Sequence, residues 1–244
     1  MHRLLVKPDP GDPHLLHLDA REARHALRVL RMRVGDVFLA FDGRGGEWEA
    51  ELLRTSPGVV ARVLRPREGL ALPYRLTLYQ GVPKGDKMDT VVRMGTELGI
   101  ARFVPVAMER SVKAGGRVER WRRIAAEASK QCRRAQVPEV ADPMPFAQAA
   151  AAFARHSLRV FLWEGGGRPL LRMLERTQEL TDLAMFVGPE GGFAEEEVRR
   201  LRACAEAVSL GPLVLRTETA GLAAAAVILS WFCAAGWSRQ TEDV

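Results

Sequence analysis

Two segments near the C-terminal end carry residue types and spacings suited to chemistry. The first, Val187-Gly188-Pro189-Glu190-Gly191-Gly192-Phe193, leaves an apolar run and enters Glu195-Glu196-Glu197-Val198, whose acidic first turn suits the positive end of a helix. Paired glycines allow close backbone approach to a ligand or a positive φ. A loop at the carboxyl end of a parallel strand is where α/β proteins bind small molecules. The spacing matches neither the dinucleotide glycine fingerprint nor the P-loop. Taken alone, the segment reads first as a structural strand-to-helix turn.

The second segment is Leu210-Gly211-Pro212-Leu213-Val214-Leu215-Arg216-Thr217-Glu218-Thr219-Ala220, followed by Gly221-Leu222-Ala223-Ala224-Ala225-Ala226-Val227. An arginine, two threonines and a glutamate at the mouth of an apolar helix are suitable polar groups for a binding site. A threonine cap with flanking charges explains them equally well. The small residues call for another backbone packed closely, as in a buried helix or a dimer contact.

The elements that position these segments follow from periodicity. Residues 3–6 form a short strand, and Asp19-Ala20-Arg21-Glu22 has the pattern of a capping box. A helix through Ala23, Ala26, Leu27, Leu30 and Met32 follows, ended by Gly35-Asp36. Strands are expected at 37–41, 47–52 and 59–64, with a turn at Asp42–Gly46. A Pro/Gly/charge-containing stretch from Pro66 to Pro73 sets a domain boundary near Leu70, giving units 1–70 and 71–244. Beyond it, strands at 76–80, 103–105, 160–163, 183–187 and 207–209 alternate with helices at 88–98, 117–135, 169–179, 195–203 and 218–235. Ala147–Ala154 forms a further helix. Such alternation predicts an α/β domain with a mainly parallel sheet.

Composition bounds the function. The 244 residues are 47% hydrophobic, enough for a substantial core. Arginine supplies 31 of the 36 basic residues and the net charge is +6, a balance that suits a phosphate-rich partner and also arises from a GC-rich genome. Cys132, Cys204 and Cys233 have no disulfide or zinc spacing, and His14 and His17 lack further ligands, so no metal is expected. No run reaches about 18 consecutive apolar residues and the first residues lack a signal peptide's apolar stretch, so no membrane partner and a cytoplasmic location are expected.

The pair VGPEGGF and LGPLVLRTETA resembles the cofactor region of the SPOUT methyltransferases, specifically the 16S ribosomal RNA (uridine-N3) methyltransferase family. The segments HALRVLRMRVGD (His25–Asp36), KGDKMD (Lys84–Asp89), ELGI (Glu97–Ile100), ERS (Glu109–Ser111) and RWRRIAAEASKQCRR (Arg120–Arg134) match it in order over nearly the whole chain. Membership implies a small N-terminal PUA-like β-barrel over 1–70 for RNA contact. It also implies a C-terminal SPOUT α/β domain over 71–244 with a deep trefoil knot, a homodimer, S-adenosylmethionine as cofactor, and 16S rRNA within the small ribosomal subunit as substrate. Pro212 and Leu213 depart from the bulkier or more polar pair expected of relatives, a change expected at the adenine pocket.

By this resemblance Leu162, Glu164, Gly188, Pro189, Glu190, Gly191, Gly192, Leu210, Gly211, Leu215, Arg216, Thr217 and Glu218 hold the cofactor. Methylating uridine N3 removes a weakly acidic proton, so Arg216 is expected to stabilise charge on the uridine carbonyls and Glu218 or Glu190 to accept the proton. RNA contacts are expected from Arg24, Arg28 and Arg31, spaced as one helical face, from basic residues of the long helix including Arg133 and Arg134, and from Lys84, Lys87, Arg110 and Lys113. Two alternatives are a SPOUT enzyme acting on transfer RNA and a non-catalytic RNA-binding assembly factor.

Overall fold

The computed structural model describes residues 1–112, 115–177 and 181–236; Lys113 and the Gln178-Glu179 end of one expected helix lie outside the described residues. The chain forms two compact units, one of Met1–Ala71 with Ser129–Val137, the other of Leu72–Ala128 with the chain from Pro138 onward.

The first unit contains β1 (Arg3–Leu5), β2 (Lys7–Pro8), β3 (Leu15–Leu18), α1 (Ala20–Arg24), β4 (Val37–Phe41), β5 (Glu47–Arg54) and β6 (Val59–Arg67). Its strands run in the order β1-β4-β5-β6-β3-β2. Only Val6 separates β1 from β2, so one bent strand supplies both ends of the order and closes the sheet, the barrel solution to exposed edges. Leu4, Leu16, Phe38, Ala50, Leu52 and Ala61 fill the interior. Arg3 ties Ser129–Val137 to this unit by donating to the carbonyls of Ser129 and Arg134, at 2.8 and 2.9 Å.

Asp19 caps α1, accepting from the backbone N–H groups of Arg21 and Glu22. Glu22 does not close the expected box. Its carboxylate is buried and accepts instead from the Leu5 N–H at 3.3 Å and the Lys130 ammonium at 2.5 Å. The helix is also shorter than its periodicity predicts. After Arg24 it widens into a π turn over His25–Val29, and Arg31 takes a left-handed φ of 57°. Arg24, Arg28 and Arg31 are exposed but do not share one α-helical face.

The second unit contains β7 (Arg75–Gly81), α2 (Lys87–Glu97), β8 (Ile100–Ala107), α3 (Val118–Cys132), β9 (Glu139–Val140), β10 (Met144–Pro145), α4 (Phe146–Phe153), β11 (Leu158–Leu162), β12 (Arg168–Pro169), α5 (Leu170–Leu174), β13 (Asp182–Val187), α6 (Glu195–Arg202), β14 (Glu206–Ser209) and α7 (Thr217–Ala234). The C-terminal end of α3 belongs to the first unit. Every strand pairing is parallel, in the order β10-β8-β7-β13-β11-β14-β12 with β9 beside β8. Two helices end early for visible reasons. Arg133 adopts φ 63° after α3, and α5 tightens through i→i−3 bonds from Arg176 and Thr177.

The sheet order puts β13 between β7 and β11, while the next strand, β14, lies on the far side of β11. The chain then returns to α7, which packs on α2, α5, β7 and β13. This crossing path is where the resemblance locates the trefoil knot. By length and composition α7 is apolar enough to cross a membrane. Here Gly221, Leu222, Ala224, Ala225, Ile228 and Phe232 form its buried face. A Cβ on Gly221 would stand 3.3 Å from the Leu78 side chain and 3.4 Å from that of Val187, so the close neighbours there are side chains of the sheet and not the second backbone expected.

Candidate active site

The carboxyl ends of β11, β13 and β14 open onto a cavity of about 690 Å³. Its walls are the three segments that follow these strands, and Lys87 of α2 closes one side. Leu162, Glu164, Gly188 to Gly192, Leu210, Gly211, Leu215, Arg216 and Thr217 all line it; Glu218 does not. Trp163, Ser209 and Val214 also contribute, and residue type alone does not single them out. Trp163 lies between two residues expected at the site, but its fixing contact, the Arg202 guanidinium 4.8 Å over the indole, comes from α6 and has no sequence signal. Pro212 and Leu213 line the rim, with Leu213 79% exposed.

Both ends of the 188–192 loop are anchored. Phe193 is buried, edge-on to Phe161 and Phe186 at 5.9 and 6.0 Å. Edge-to-face pairs of this kind add about 0.5–1.5 kcal/mol beyond their burial. Gly81, at the end of β7, has no room for a side chain, since a Cβ there would lie 2.7 Å from the Pro189 nitrogen. Gly192 turns the loop with φ 68° and donates to the Pro189 carbonyl at 2.9 Å. At α6, Glu197 accepts from the Ala194 N–H at 2.9 Å, satisfying one helix-start donor.

Thr217 joins the two loops. Its hydroxyl donates to the Gly188 carbonyl at 2.5 Å and accepts from the Gln80 amide at 2.9 Å, with both side chains buried. Thr217 is therefore no helix cap, and the residue at the cap position, Arg216, makes no side-chain capping bond either. Arg216 is exposed at the cavity and has no polar partner among the described residues. The exposed Glu164 carboxylate is likewise without one, standing where a Cβ on Gly192 would meet it at 2.6 Å.

A charged cluster occupies the α2 side. Lys87 Nζ lies 2.8 Å from Glu190 and 3.4 Å from Glu218. The longer contact is the weaker one, an ion pair to the buried Glu218 Oε2. Partial burial works to raise the Glu190 carboxyl. The Lys87 ammonium and backbone N–H groups, that of Lys84 among them, outweigh it and hold the carboxyl below its ordinary value. The same hydrogen bond, donated by Lys87 to Glu190, raises Lys87, with Glu218 acting in the same direction.

The residues nominated for RNA separate into two groups. Arg24, Arg28, Arg31, Lys84 and Arg133 have exposed side chains. Lys87 is paired as described, Arg110 donates to the carbonyls of Gly191 and Phe193, and Arg134 is 7% exposed. Other basic residues of α3 are also committed: Arg120 to Asp89, Arg122 to Glu119 and Asp142, and Lys130 to Glu22.

Residues 71–229 match the RNA methyltransferase domain family and residues 18–64 the RNA methyltransferase PUA domain. Ribosomal RNA small subunit methyltransferase E of Bacillus subtilis is 33% identical over 92% of this chain and 93% of its own. The protein of that name from Synechocystis is 32% identical over 93% and 77%. The crystal structure of the Neisseria gonorrhoeae protein of that name, bound to S-adenosyl methionine, superposes with a TM-score of 0.80 at 30% identity, covering 95% of this chain and 98% of its own. The chain belongs to the ribosomal RNA small subunit methyltransferase E family. All cavity residues of this methyltransferase fall inside its matched methyltransferase domain, and Arg24, Arg28 and Arg31 fall inside its PUA match.

Proposed function

We propose that this protein transfers the methyl group of S-adenosylmethionine to N3 of a uridine in 16S ribosomal RNA, in the cytoplasm and on the small ribosomal subunit. The observation that carries this reading is the cavity on which the two glycine-containing loops converge, within a chain whose relatives are small-subunit rRNA methyltransferases. The cavity's chemistry suits the cofactor. Leu162, Leu210 and Leu215 offer an apolar wall for a purine, Glu164 offers acceptors for ribose hydroxyls, and the glycine backbone of 188–192 allows close approach. S-adenosylmethionine supplies an electrophilic methyl group.

The protein's part is positioning and charge. Uridine N3 is hidden in a base pair, so the base enters unpaired or flipped. Arg216, exposed and without a polar side-chain partner among the described residues, stabilises negative charge on the uridine carbonyl oxygens. Glu190, which lines the cavity, or Glu218, which stands behind it on the far side of Lys87, takes the N3 proton directly or through water; both carboxylates share the Lys87 ammonium. The first unit and Arg24, Arg28, Arg31, Lys84 and Arg133 contact RNA phosphates. The partly buried Ala223, Ala226, Val227 and Trp231 face of α7 supports a homodimer, which sedimentation would measure.

Small subunits lacking the modification, incubated with the protein and labelled cofactor, should yield 3-methyluridine on nucleoside mass spectrometry. Cofactor binding with methyl transfer only to transfer RNA would replace the substrate. No cofactor binding would leave the non-catalytic alternative.

A further inference from the structure

We infer that Arg110 is a positioning residue for the cofactor loop and does not contact RNA. This rests on the methyltransferase reading above and extends it to the segment leaving β8. Arg110 is exposed and basic, in a chain rich in arginine, which is why its sequence context suggests phosphate. One nitrogen of its guanidinium is nevertheless committed: Nη1 donates to the Gly191 carbonyl at 2.9 Å and to the Phe193 carbonyl at 3.3 Å, which turns the group toward the loop. The stem is seated as well, since a Cβ on Gly191 would fall 2.9 Å from Arg110 Cβ and 3.3 Å from its Cδ. Arg110 thus lies along the outer side of the loop whose other residues line the cavity.

The neighbouring residues make the same segment a bracket. The Glu109 N–H donates at 3.1 Å to Glu197, whose second oxygen holds the Ala194 N–H, so the loop's exit into α6 is fastened to residue 109. Ser111 closes a local turn, its hydroxyl accepting from the Met108 N–H at 2.8 Å and donating to the Met108 carbonyl at 3.0 Å. Gly81 lets Met108 and Pro189 approach from two sides, each within 2.7 Å of where a Cβ would stand. Three segments therefore meet at Gly81, Pro189 by its ring and nitrogen and Met108 by its sulfur, and Arg110 crosses from one of them to hold the carbonyls of another. Charge-assisted bonds to main-chain carbonyls restrict the loop before cofactor arrives, which lowers the ordering cost of binding.

The role is tested with Arg110→Ala and Arg110→Lys in the full-length protein, by calorimetric titration with S-adenosylmethionine and, separately, by binding of a 16S rRNA fragment over a range of salt. The expected result is about a tenfold weaker cofactor Kd for R110A, partial recovery in R110K, and unchanged RNA affinity and salt slope. The thermal midpoint without cofactor should stay near wild type, while the increment produced by a fixed cofactor concentration shrinks. A merely structural side chain would lower the first and leave the second. The inference falls if R110A binds cofactor as wild type does, or if its RNA affinity and salt slope drop while cofactor binding holds. Wild-type protein that binds no cofactor would remove the methyltransferase reading itself, and the bracket with it.

Discussion

Replacing Thr217 by valine keeps the shape of the side chain and removes one oxygen that serves both walls of the cavity. That oxygen donates to the Gly188 carbonyl at 2.5 Å and accepts from Gln80 Nε2 at 2.9 Å. Gln80 keeps a weaker bond, to the Gly81 carbonyl at 3.2 Å, and it is fully buried, so no water replaces the missing partner. A buried polar group left unpaired costs about 1–3 kcal/mol. With one group losing this bond and the other partly compensated, T217V should lose about 2 kcal/mol. For a chain of this size that lowers the Tm by about 4–8 °C. Calorimetry should record this drop together with weaker cofactor binding, because the Gly188 strand end and the start of α7 are no longer tied. Thr217→Ser, which restores the oxygen, should recover most of both. A T217V protein with wild-type Tm and cofactor affinity would refute the bridge as the link between the loops.

Three other perturbations address the remaining parts. Gly192→Ala places a Cβ at φ 68° and 2.6 Å from Glu164 Oε1, so it should cost about 1–2 kcal/mol and push the carboxylate aside. Its loss of cofactor affinity should not add to that of Glu164→Gln in a double-mutant cycle, and additive losses would separate the two residues. Glu190, held below its ordinary pKa in the folded state, contributes stability above the ordinary carboxylate range that is lost as pH falls through its folded value. Lys87→Met removes much of that lowering, so urea unfolding between about pH 6 and about pH 3 should show a shallower acid loss than wild type; parallel curves would dismiss the clamp. Charge reversal at Arg24 and Arg28 should weaken RNA binding and reduce its salt slope by about one for each phosphate no longer neutralised, whereas an unchanged slope would exclude that surface.

Much of the architecture is legible in the chain because it depends on neighbours in sequence. Apolar runs and helical spacing mark β7, β11, β13 and α7, and the glycine-containing loop after Val187 marks where the strand ends. The two segments of the candidate site stand out through the family resemblance, since residue type alone also fits a turn and a cap, and their approach is the work of the strand order, which sets β13 beside β11 and β11 beside β14. Small-residue spacing in Gly221–Val227 announces a close contact but does not name Leu78 and Val187 as its other side.

Partnership was decided only by the tertiary structure. Glu22 has the spacing of a capping-box residue, yet a lysine 108 residues away and the Leu5 N–H take its carboxylate. Lys87 and Arg110 have the composition of RNA contacts, and each finds acceptors in the 190–193 loop, more than 80 residues further on. The Arg24–Arg28–Arg31 spacing presumes an α-helix that the π turn and the left-handed Arg31 replace. Local propensity acts over the three or four residues of a helical turn or hairpin, so it determines where strands, helices and glycine turns begin and end. The desolvation of a buried or half-buried charge is relieved by whatever donor or acceptor the fold brings within about 3 Å. In this chain those groups come from distant segments, and the sequence by itself contains no distance between them.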